Sequence, residues 1–151
     1  MYRSITLALV AGGLLLSSAH LSARRADEAA IRQTVQYYFD GGRNGDSVAL
    51  RKAFHPEARM LFVRDGGLAV VPIGEYIQRV AEGKRKPGAV DSTERRVASI
   101  DIAGDAAVAK LELKRPDVLT TDYMSLLKLD GRWVIVNKSF SRVAGSTQAG
   151  K

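Results

Sequence analysis

Hydrophobic and polar positions change period along this chain, and the changes mark its elements. From Asp27 to about residue 40, Ile31, Val35, Tyr38 and Phe39 recur at helical spacing, with Asp27 as N-cap and Gly41-Gly42 as the stop. Asp46-Ser47 caps a second, short helix that turns Leu50, Ala53 and Phe54 to the core and ends at His55-Pro56, because the residue before proline is pushed out of the α region. Arg59 to Arg64 and Leu68 to Val71 read as two strands around Asp65-Gly66-Gly67. Pro72 and Gly74 open a third helix whose stripe is Ile73, Tyr76, Ile77, Val80 and Ala81, and Gly83 closes it. Beyond a charged loop, Lys84 to Val90, every remaining segment reads as strand from Glu94 onward.

Two hairpins fill that last part. Counting outward from the turn Gly104-Asp105 pairs Ile102 with Ala107, Ile100 with Ala109, Ala98 with Leu111 and Arg96 with Leu113 on one face, and puts Asp101, Ser99, Lys110, Glu112 and Lys114 on a wet face. In the second, Asp130-Gly131 supplies the positive φ angles of a type I′ turn. Counting from it puts Asp122, Met124, Leu126 and Lys128 on one face with Ser139, Asn137, Ile135 and Trp133. Tyr123, Ser125 and Leu127 share the other face with Lys138, Val136 and Val134. Both faces are largely apolar, so this hairpin belongs in the middle of a sheet, with helices on one side and more protein or a second copy on the other.

The amino-terminal stretch changes the picture of where the protein works. Arg3 precedes an apolar run from Ile5 to Leu16 that is short for a membrane span and suited to the h-region of a secretory signal, and small residues follow at Ser17-Ser18-Ala19 and at Ala23. The expected organisation is a signal peptide over 1–23, cleaved after Ala19 or Ala23, a domain over 24–143 and a disordered tail over 144–151. The protein is then periplasmic or secreted, with no stable membrane insertion after cleavage. The chain has no cysteine, which removes disulfides, thiol catalysis and a lipidated cysteine, so a core must hold the domain. A chain of this size buries roughly two-thirds of its unfolded surface, which suffices. The net charge of +7 is spread over separated Lys and Arg pairs without interleaved aromatics, which argues against nucleic acid and for a solubilising surface.

Chemistry has few candidates. A carboxylate on an apolar face is expensive, so Asp122 needs Tyr38, His55, an arginine, water or a ligand, and it is the candidate base; its bland reading is a strand-end residue in water. Lys138 points away on this register, and Asp122→Asn, being close to isosteric, is expected to leave folding nearly intact. His55 suits a proton shuttle or, more simply, an end cap of the second helix. Asn137 and Tyr38 could orient a ligand beside Met124, Trp133 and Phe140 serve core or dimer surface, and the scattered carboxylates with so few histidines predict no metal and no cofactor.

The order of elements, with FHPEARM at 54–60, IDIAGDAAVAKLEL at 100–113 and TDYMSLLKLDGRWVIVNKSF at 121–140, resembles the nuclear transport factor 2-like superfamily. Within it the chain is most similar to the putative lumazine-binding protein group. The resemblance covers about Asp27 to Arg142. It implies an α+β fold, a cone-shaped barrel with three helices packed on the concave face of a curved, mostly antiparallel six-stranded sheet, a pocket at the wide end, and commonly a homodimer through the convex face. The superfamily spans isomerases, dehydratases, cyclases and proteins that only bind, so fold does not choose among them. This chain lacks a recognisable catalytic dyad of the enzyme relatives. The first expectation is therefore an exported, dimeric binder of an unidentified small molecule, with Tyr38, His55, Asp122, Met124 and Asn137 at the ligand. The alternatives are a dehydratase or isomerase using Asp122 or His55 for proton transfer, and a structural module whose cavity is filled by its own side chains.

Overall fold

The computed structural model describes residues 6–83 and 91–145, with side chains from His20 onward. The elements run α1 (Thr6–Asn44), α2 (Ser47–Ala53), β1 (Phe54–Arg64), β2 (Gly67–Pro72), α3 (Ile73–Glu82), β3 (Glu94–Ala103), β4 (Ala106–Lys114), β5 (Val118–Leu129) and β6 (Arg132–Ala144). The six strands form one curved sheet in the order β2-β1-β6-β5-β4-β3, antiparallel except where β1 runs parallel to β6. It does not close, and the three helices bury their apolar stripes against its concave face. Ile31, Val35, Leu50, Ile73 and Ile77 from the helices meet Leu111, Met124, Leu126 and Ile135 from the strands in one core. The α+β architecture expected from the resemblance is the one observed.

Several boundaries moved, each for a physical reason. Gly41-Gly42 does not end α1, which continues to Asn44. Gly41 is there for closeness: a Cβ on it would lie 2.5 Å from Leu50 Cγ, and Leu50 is fully buried. Asp27 is not a cap but lies inside α1, where its Oδ1 accepts hydrogen bonds from Lys128 Nζ (2.7 Å) and Trp133 Nε1 (2.9 Å). Those bonds, the Lys128 one foremost, hold its carboxyl below the usual range. Thr34 Oγ1 donates to the Trp133 carbonyl oxygen at 2.8 Å, so α1 is tied to β6 at two levels. Asp46 caps α2 as expected, accepting from the N–H groups of Val48 and Ala49. Phe54 is already extended, and His55-Pro56 belongs to β1 rather than to a helix end. Proline is tolerated there because the pairing of β1 with β6 skips from Phe54 to Arg59. The loop expected over 84–90 and the tail beyond residue 145 lie outside the described residues, as do residues 1–5. No helix among the described residues is long and apolar enough to cross a membrane.

The most consequential differences are two β-bulges. β5 and β6 keep the counted register near the turn, Leu129 opposite Arg132 through Leu126 opposite Ile135, and Asp130 and Gly131 both have positive φ. Val136 is then an extra residue, so Ser125 faces Asn137, Met124 faces Lys138 and Asp122 faces Phe140. Lys138 and Phe140 therefore turn into the concave side, and Asn137 turns out with Ser125. The expectation that Asn137 shares a face with Asp122 while Lys138 and Phe140 lie opposite is overturned. In the same way Ala98 is extra in β3, so Val97 faces Leu111 and Arg95 faces Leu113, while Arg96 goes outside to Glu112. A single inserted residue reverses every side chain beyond it, because the strand period is two.

Candidate functional site

Three rows of side chains cross the concave face at the end of the sheet away from the turns Gly104-Asp105 and Asp130-Gly131. Reading across paired strands, the outermost is Arg95, Leu113, Thr120 and Arg142; the next is Val97, Leu111, Asp122 and Phe140; the third includes Ala109, Met124, Lys138 and Met60. Tyr38 and Phe39 from α1 and Tyr76 from α3 lean over these rows. Between them lies a cavity of about 180 Å³, and Arg115 and Thr93 complete its mouth.

The floor carries a buried polar group of three. Lys138 Nζ donates to Tyr38 Oη at 2.7 Å, and Tyr38 Oη donates to Asp122 Oδ2 at 2.7 Å. Asp122 Oδ1 is 3.0 Å from Lys138 Nζ, an ion pair without the alignment of a hydrogen bond, so that oxygen has no hydrogen-bond partner among the described residues. Asp122 is 0% exposed and Lys138 6%. Burial lowers the Lys138 pKa while the Asp122 charge pulls it back up. Lys138 also lies over the Tyr38 and Phe140 rings, 4.9 Å from each centroid. Burial first, then the Asp122 charge, pushes the Tyr38 phenol well above its ordinary range and Tyr76 to about 12. At the mouth, Arg95 pairs with Asp91. Burial works to raise the Asp91 pKa, but hydrogen bonds from the Thr93 side chain and N–H and from Arg95 outweigh it and hold the carboxyl well below its usual range.

These phenols give a measurable pH signature. Between about pH 10 and pH 12 the unfolded chain ionises Tyr38 and Tyr76 while the folded chain keeps them neutral, so their stabilising contribution is complete below pH 10 and is lost as pH rises toward and through the folded values. An ultraviolet titration of the folded protein should show Tyr76 ionising only near pH 12 and Tyr38 well above the ordinary phenol range. Ionisation of Tyr38 and Tyr76 near pH 10 without unfolding would refute the buried arrangement.

Of the residues expected at a ligand, Tyr38 lines the cavity. Asp122 and Met124 lie fully buried beneath it, and Asp122 acts on the cavity surface only through Tyr38 and Lys138. Asn137 is on the opposite face of the sheet, and His55 sits on β1 away from the cavity, its Nδ1 accepting the Glu57 N–H at 3.2 Å. Lys138, Arg95, Tyr76, Phe140 and Arg142 were missed. For the three on β6 the signal was a change of phase: large residues fall at odd positions Trp133 and Ile135 but at even positions Lys138, Phe140 and Arg142, and small polar residues fill 137, 139 and 141. No group of three or more metal-ligating side chains occurs among the described residues.

The family model described as putative lumazine-binding matches residues 26–141. The aldolase FrzH of a Cladobotryum species is 25% identical over 126 residues, covering 80% of this chain and 94% of that protein. Among solved structures, a nuclear transport factor 2-like protein of unknown function from Shewanella baltica superposes with a TM-score of 0.70 at 28% identity, over 80% of this chain and 96% of its own. One from Methylobacillus flagellatus gives 0.67 at 29% identity, over 79% and 94%. With the curved open sheet, the three helices on its concave face and a family match running from residue 26 to residue 141, this chain belongs to the putative lumazine-binding family of the nuclear transport factor 2-like fold.

Proposed function

We propose that this is an exported protein that binds a small organic molecule in the cavity between α1, α3 and the concave sheet. The observation that carries the reading is the cavity itself: about 180 Å³, walled by aromatic rings and floored by the Lys138–Tyr38–Asp122 group. A module with an interior filled by its own side chains has no use for buried charge at the edge of such a space. Native mass spectrometry of protein purified from its own source should find an added mass that denaturation removes. The same measurement on Leu113→Trp, which fills the cavity, should find none. A retained mass that survives Leu113→Trp, or none in either protein, counts against binding at this site.

A second reading, proton transfer on a bound substrate, is favoured by Tyr38, which lines the cavity and whose hydroxyl lies between an ammonium and a carboxylate, and by likeness to a protein named an aldolase. Asp122 would then act from behind Tyr38, and His55 would have no part. Tyr38→Phe should keep the retained molecule under binding alone and abolish turnover under catalysis.

Export and pairing complete the proposal. The apolar run from Ile5 to Leu16 supports cleavage after Ala19 or Ala23, and amino-terminal sequencing should return His20 or Arg24 as the first residue. A mature chain that still starts at Met1 would reject it. Pairing of two copies across the convex face is supported by an apolar strip there that includes Tyr123, 46% exposed, Val108, 48%, and Leu127, 37%. Val134, on the same face, is buried within its own subunit, so Leu127→Lys is the cleaner probe and should shift the protein from dimer to monomer in light scattering. A wild-type monomer at micromolar concentration would end the idea.

A further inference from the structure

We propose that the ligand is a monocyclic aromatic carboxylate. The inference rests on the cavity being a binding site and adds the chemical class of what it takes. Charge is the first argument. The lining includes Arg95, Arg115, Lys138 and Arg142 and no carboxylate. Asp91 pairs with Arg95 and Asp122 with Lys138, but Arg115 and Arg142 have no ion pair among the described residues. Two positive charges, both on exposed side chains, are thus left over at the mouth of a space with apolar walls, and they favour an anion there. Lys138 adds a directional donor. Its ammonium has three protons; one is given to Tyr38 and another faces Asp122, which leaves one for an acceptor in the cavity.

Shape and size supply the rest. Tyr38, Phe39, Tyr76 and Phe140 present ring faces and edges to the cavity. A dry cavity of roughly 150 Å³ accommodates benzene, so the volume of about 180 Å³ here suits one ring with a small substituent and not a long chain. The Arg142 guanidinium lies over the Phe140 ring, 4.8 Å from its centroid, and a guanidinium binds a carboxylate in bidentate fashion. A ring among the aromatics with its carboxylate toward Arg142 satisfies both halves of the lining. Bare inorganic anions use only the charged half, and neutral rings only the apolar half.

Calorimetric titration of the whole protein at low salt with benzoate, its neutral isostere benzamide, and acetate separates these contributions. Benzoate should bind at least about tenfold more tightly than either of the others. Arg142→Gln, at an exposed residue whose loss should not disturb folding, should remove most of that preference, and Arg142→Lys should restore part of it. Leu113→Trp should abolish benzoate binding. Equal affinity for benzoate and benzamide would overturn the anionic class while leaving the cavity a binding site. Benzoate binding unaffected by both Arg142→Gln and Leu113→Trp would place the ligand elsewhere and overturn the inference. No benzoate binding at millimolar concentration would also overturn it, and a molecule retained in native mass spectrometry would show that only the ligand class had failed.

Discussion

Asp122→Ala should destabilise the protein by about 3–5 kcal/mol, the range for breaking a buried ion pair from one side. The substitution strands the Lys138 ammonium, 6% exposed, with only the Tyr38 oxygen as partner and no counter-charge. It also removes the acceptor of the Tyr38 hydroxyl, which is buried with it. Asp122→Asn should be costly as well, because it keeps the shape and loses the charge. That reverses the near-neutral outcome expected when Lys138 is placed on the far face of the sheet. Replacing both partners, Asp122→Leu with Lys138→Met, should recover most of the lost stability, since the desolvation of two charges disappears together with their attraction. Urea unfolding of the two single variants and the double variant gives the coupling directly. Single variants within about 1 kcal/mol of the parent would mean that water reaches the pair and that the floor of the cavity is not closed.

Trp133→Ala is the second large effect, expected at about 3–5 kcal/mol for truncation of a buried aromatic. Trp133 is 3% exposed beneath α1, its indole N–H donates to Asp27, and its backbone carbonyl accepts from Thr34. Truncation opens a cavity under α1, which positions Tyr38 and Phe39 over the ligand space. Asp27 keeps Lys128 as a donor, so the lost indole bond is the smaller part of the effect. Trp133→Phe should accordingly cost far less than Trp133→Ala. The parent protein offers a further check, because Trp133 is the only tryptophan of the chain. Its fluorescence should be that of a buried indole and should shift to the red in the same urea transition that circular dichroism reports. A red emission maximum in the folded protein would contradict the packing of α1 on β6.

The ligand cavity and the Asp122 probe depend on one another through the bulges. Without the extra residue at Val136, Asn137 would face Met124 and Lys138 would lie outside, leaving Asp122 beside Tyr38 with no cation. Without the extra residue at Ala98, Arg96 rather than Arg95 would face inward, and the pairing of Arg95 with Asp91 at the cavity mouth would be lost. Each bulge thus adds one buried cation to a concave face that is otherwise apolar. Bulges re-aim side chains next to functional sites. Here they set the sign of charge in the cavity.

Local chemistry was legible in the chain itself. Helical stripes through Ile31, Val35 and Tyr38 and through Ile73 and Ile77, the Asp46 cap, and the turns at Asp65-Gly66 and Asp130-Gly131 are short-range features, decided by neighbours within a turn of helix or a few residues of strand. They determined the element order, and with it the fold. The need of Asp122 for a partner was legible too, since the cost of a lone carboxylate on an apolar strand face does not depend on which partner answers it. Which group answers it, and which of Asn137 and Lys138 faces the cavity, only the tertiary structure decided. Register is counted from a turn, and each added residue reverses the face of everything beyond it, so a single bulge changes the outcome at a distance. The same holds for Gly41, whose role is close approach to Leu50 rather than helix termination. It holds for Asp27 as well, whose role as an anchor for Lys128 and Trp133 joins residues about a hundred positions apart. Such contacts exist only once the helices have closed over the sheet, and the chemistry of the cavity is made of them.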